Sequence, residues 1–83
     1  MEAEAVHELI PMSQLRAGQT GEVQQLMGRA DQVHRLEELG LRIGTMIEVI
    51  RSGSPCIVRV GGKQYGFRAT ELLKVLVKPG VAV

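Results

Sequence analysis

The stretch Arg35-Leu36-Glu37-Glu38-Leu39-Gly40-Leu41-Arg42-Ile43-Gly44-Thr45-Met46-Ile47-Glu48-Val49-Ile50 decides the fold, because within it a helix ends and a strand begins. Upstream, Val33, Leu36 and Leu39 recur at three-residue spacing, while Arg35, Glu37 and Glu38 occupy other faces. That stripe predicts a helix over Ala30 to Leu39. Asp31 is placed to cap it, since its carboxylate can accept bonds from the free N–H groups of the first turn. Gly40 fits the left-handed position that ends many helices, and Leu41 is placed to fold back on the last turn. From Gly44 the period changes to two: Ile47 and Val49 share one face of a strand over Thr45 to Arg51, with Met46, Glu48 and Ile50 on the other.

Downstream, Ser52-Gly53-Ser54-Pro55 reads as a turn. Cys56, Val58 and Val60 then alternate with Ile57 and Arg59 as a second strand. Gly61-Gly62 is a two-residue hairpin signal, because glycine tolerates the positive φ of primed turns. Lys63 to Phe67 pairs back, with Tyr65 and Phe67 on one face. Arg68 to Leu73 predicts a single helical or 3₁₀ turn, Lys74 to Val77 a last strand, and Pro79-Gly80 its end. Upstream, Thr20 to Gly28 predicts a strand whose large apolar residues, Val23 and Leu26, lie three apart. A bulge near Gln24-Gln25 would return both to one face. Met12 to Gly18 reads as a short extended segment closed by a glycine turn. Residues 1–11 are expected as a flexible lead-in, 12–78 as the domain and 79–83 as a tail. The fold class expected from this pattern is mainly β: a small closed barrel of about five strands, with one inserted α-helix and a short helical turn.

At 83 residues there is room for one core, and an apolar fraction of 45% is enough to build it. The formal net charge is +1. No basic stripe is present, and the two aromatics, Tyr65 and Phe67, sit side by side in sequence. Both observations argue against nucleic acid as a partner. The lone Cys56 fits a reducing compartment. The acidic start, Met1 to His7, lacks the apolar region of a signal peptide, and the apolar runs are far too short to span a membrane. A cytoplasmic chain without membrane insertion is expected.

The quoted stretch resembles the ferrous-iron transport protein A (FeoA) family through Arg35-Leu36, Leu39-Gly40-Leu41, Gly44, Ile47 and Val49. Leu15, Gly18, Gly21, Val23 and Leu26 are similar to the family's opening, and Pro55, Val58, Val60, Gly61 and Phe67-Arg68 to its hairpin and close. The resemblance covers Met12 to Val77. Ile43 stands where the family often has proline, and the Arg51 to Pro55 connection is shorter and lacks an aspartate. The resemblance implies an SH3-like barrel in the cytoplasm, working alongside the membrane ferrous-iron transporter that carries a G-protein domain. The domain type also resembles the C-terminal module of iron-dependent repressors. The alternative is therefore a stand-alone regulatory module of a metal-responsive transcription system, dependent on a partner because no helix-turn-helix is present.

Catalysis needs a nucleophile and a base within reach of each other. Cys56 lies on the apolar face with Val58 and Val60, where a thiol serves as a small core hydrophobe. His34 lies on the exposed side of the helix and His7 in the lead-in, so no enzyme is expected. The family brings an association with transition-metal binding, yet His34 with Glu37 or Glu38 supplies only two exposed ligands. No metal ligands, catalytic residues or cofactor are assigned. The glycines fit turns and caps, and no phosphate-binding loop is present. The Val33, Leu36 and Leu39 stripe is expected to seal one end of the barrel. Arg29, Arg35, Glu38 and Arg42, around the helix and its ends, are the candidate partner-binding residues, as a charged rim that orients a docking partner. The partner expected is the cytoplasmic domain of the transporter, and an uncovered strand edge leaves a homo-oligomer open.

Overall fold

The computed structural model describes residues 8–80, so most of the expected lead-in and the last residues of the tail lie outside it. The chain runs through β1 (Ile10–Pro11), a 3₁₀ turn (Met12–Gln14), β2 (Thr20–Leu26), α1 (Ala30–Glu38), β3 (Met46–Arg51), β4 (Cys56–Val60), β5 (Lys63–Phe67), α2 (Ala69–Leu72) and β6 (Val75–Pro79). The strands form one sheet in the order β1-β6-β2-β3-β4-β5, every neighbouring pair antiparallel.

Period-two alternation puts Ile47 and Val49 of β3, Cys56, Val58 and Val60 of β4, and Val75 and Val77 of β6 into one core. Met12, Leu15, Leu36, Leu41, Phe67 and Leu72 fill the rest, and among the described residues no polar or charged side chain is buried. The bulge in β2 is present: Val23 faces Val77 and Gln25 faces Leu76, leaving Gln24 as the extra residue. It lets Val23 be buried and Leu26 pack against the same core despite their spacing. A second irregularity, between Val49 and Arg51 of β3, had no cue in the sequence.

Four expectations are corrected. The sheet is not closed, because no β1–β5 pairing occurs among the described residues. β1 is two residues long and includes Pro11, which has no N–H to continue a ladder. β1 is also a sixth strand, inside the stretch assigned to the lead-in, with Ile10 opposite Val77 and Pro11 opposite Leu76. Met12 to Gln14 is a 3₁₀ turn rather than extended, since Met12 and Leu15 are both buried and a period of three brings them to one side.

Asp31 does not cap α1. The cap position is Arg29, whose backbone N–H donates to Gln32 Oε1 at 3.1 Å. The chain turns at Gly28 and the helix begins at Ala30, leaving Asp31 inside the first turn. There its Oδ1 lies 3.4 Å from Arg29 Nε, and its charge still complements the helix N-terminus. The C-terminus is as expected. Gly40 has φ +98°, its N–H donates to the Glu37 carbonyl at 3.0 Å, and that of Leu41 donates to the Leu36 carbonyl at 3.0 Å. Leu41 is fully buried, completing a Schellman end.

Candidate functional site

Leu36 points into the core and anchors α1, while the helix's polar flank meets the corner where β5 passes through α2 into β6. Two side-chain bridges cross that junction. Arg35 Nη1 donates to Glu71 Oε2 in an ion pair, and Lys74 Nζ donates to Gln32 Oε1 at 3.1 Å. Glu71 is positioned by α2 itself, its Oε1 accepting the Arg68 backbone N–H at 3.0 Å. This is the return arm of a capping box, with arginine where serine or threonine is usual.

The Glu71 side chain is only 21% exposed. The hydrogen bond from the Arg68 backbone holds its carboxyl below the usual carboxylate range. Partial burial opposes this, and the Arg35 side chain supports it. The Arg35–Glu71 pair forms a ridge between two clefts that share these residues and Thr70. One, of about 280 Å³, runs between α1 and Lys74. The other, of about 400 Å³, opens toward Pro55, Gly66, Phe67 and Arg68. Three cations, Arg35, Arg68 and Lys74, thus stand against the half-buried Glu71 carboxylate and the exposed Asp31, beside the buried Leu36 and Phe67. Such a surface suits recognition of an acidic segment.

Of the four expected partner-binding residues, only Arg35 lies in this groove. Arg29 is at the start of α1 with a side chain 81% exposed. Glu38 and Arg42 line a separate cleft of about 220 Å³ with His34 and Glu37. There His34 Nε2 lies 3.1 Å from Glu38 Oε2, and Arg42 Nε donates to the Glu37 carbonyl at 3.2 Å. Sequence reasoning missed Arg68, Glu71, Lys74 and Gln32. The Arg68-x-x-Glu71 spacing was the available signal, obscured because arginine is not a usual cap residue. Cys56 is buried, and burial pushes its thiol up. Among the described residues, no three His, Cys, Asp or Glu side chains converge. None of the described helices is long and apolar enough to cross a membrane.

The FeoA domain, as a family model, matches residues 10–79. The chain is similar to the crystal structure of an iron uptake regulatory protein, FeoA, with 27% identity and a TM-score of 0.83, covering 87% of this chain and 99% of that one. It is also similar to the zinc-complexed FeoA of Stenotrophomonas maltophilia, with 26% identity and a TM-score of 0.72, covering 86% of this chain and 95% of that one. That protein is described as a prokaryotic SH3-domain protein and a candidate activating factor for ferrous-iron transport. IdeR of T. acidophilum shares the fold, with 19% identity and a TM-score of 0.78, over 94% of this chain and 36% of that one. No curated protein sequence matches the chain.

Proposed function

The chain belongs to the FeoA domain family, and from that premise we propose that it is a non-enzymatic, cytoplasmic accessory protein of bacterial ferrous-iron uptake. It docks on the cytoplasmic region of a ferrous-iron transporter that carries a G-protein domain, and modulates its activity. The observation that supports this most is that the family domain takes up residues 10–79 of the chain. The groove beside α1 adds to it, since exposed cations around a half-buried carboxylate suit a protein partner. Arg35 is the central contact, with Arg29, Glu38 and Arg42 as the wider rim.

Calorimetric titration of the purified chain with the transporter's cytoplasmic G domain, with and without guanine nucleotide, tests this reading. Saturable binding is expected, weakened about tenfold by Arg35→Glu. Absence of binding in every nucleotide state would contradict it. The likeness to IdeR supports a second reading, a regulatory module in a transcription system. Capture of an iron-dependent repressor, with no binding to the G domain, would favour that one.

A further inference from the structure

The two edges of the sheet differ. β1 offers two residues and includes a proline. β5 offers five residues, no proline and an unbroken register with β4. Its far side pairs with no strand among the described residues. Because Gly61-Gly62 is a two-residue turn, Val60 and Lys63 form a hydrogen-bonded pair. Alternation makes Val58 with Tyr65 and Cys56 with Phe67 the next such pairs. The backbone N–H and C=O groups of Gln64 and Gly66 therefore point away from β4, and both residues are exposed.

Sheet edges are usually blunted by prolines, bulges or charges, and here only Lys63, beside the turn, does so. Past Phe67 the edge runs into the 400 Å³ cleft with Arg35 and Arg68. The Arg68 side chain has no hydrogen bond or ion pair among the described residues. Cations thus stand at both ends of the strand, against the single carboxylate of Glu71.

We propose that the outer edge of β5 accepts an extended acidic segment of the partner protein as an added strand, pairing with Gln64 and Gly66 and placing a carboxylate against Arg68. This rests on the accessory reading above and names the surface that reading uses. Main-chain bonds supply the affinity in this mode of recognition, and the flanking charges supply the selection. A second copy of this chain is a poorer occupant. Antiparallel self-pairing of β5 would bring Lys63 of each copy toward Phe67 and Arg68 of the other, setting like charges together.

Amide hydrogen exchange of the full chain, with the transporter's cytoplasmic G domain as probe, tests the proposal. Exchange at Gln64 and Gly66 is expected to slow on binding. Gln64→Pro removes an outward N–H without touching a β4–β5 bond, and is expected to weaken binding about tenfold. Gln64→Ala is expected to bind as the parent does. Arg68→Ala, which alters no bond of the fold, is expected to weaken binding several-fold and covers the case in which proline disturbs the hairpin. Binding that leaves Gln64 and Gly66 exchange unchanged would overturn edge pairing while the accessory role stood. Absence of binding would overturn both. Protection of these amides by raising the concentration of the chain alone would make a second copy the occupant, and overturn the proposal as well.

Discussion

Glu71 ties the start of its own helix to α1 through one carboxylate, accepting from the Arg68 backbone and from the Arg35 side chain across the groove. Its folded form binds a proton less readily than the unfolded chain, whose carboxyl titrates in the usual carboxylate range. The stability it contributes is therefore complete above that range and is lost as pH falls through the lower folded pKa. Glu71→Gln is expected to flatten that part of the acid limb, as read by denaturant titrations at stepped pH. It should cost about 1 kcal/mol at neutral pH, because an amide oxygen keeps the cap bond but loses the charge. Cys56 makes the opposite case, a group whose environment removes its chemistry. Burial raises its pKa, so thiol reagents at neutral pH are expected to label it only as fast as the domain opens. Labelling of the native chain at the rate of a free thiol would refute its core role.

At the scale of elements, α1 depends on one deeply buried side chain and on its ends. Leu36 is 4% exposed, whereas Val33 and Leu39 are half-buried. The three-residue stripe was therefore right about direction and too generous about depth. Leu36→Ala is expected to cost about 2–5 kcal/mol, seen as a large drop in melting temperature. An unchanged melting temperature would mean that the helix faces a partner instead of the core. The C-terminal end was legible because glycine followed by a leucine leaves few geometries for a closing helix. The N-terminal end was not, because the capping group came from Gln32, inside the helix, and the better-known signal at Asp31 misled by two positions. The β2 bulge was legible because the spacing of Val23 and Leu26 conflicts with a regular strand. The irregularity near Ile50 was not, since Val49 to Arg51 carries no such conflict.

Across the whole molecule, the alternating strands of β3 to β5 and the Gly61-Gly62 turn could be read from local pattern alone. The pairing of β2 with β6 joins distant parts of the chain, and no local period announces it. The same holds for the groove: Arg35 was found as part of a charged helix, but Glu71 and Lys74 meet that helix only once β6 has returned beside β2. The open sheet follows from one short edge strand containing Pro11, and it leaves β5 as the edge able to take another strand. An accessory role in ferrous-iron uptake is tested by the rate of radiolabelled ferrous-iron uptake in cells that keep the transporter and lack this chain. An altered rate is expected, returned to the parental value by the wild-type chain and not by Arg35→Glu. An uptake rate unaffected by removing the chain would contradict it.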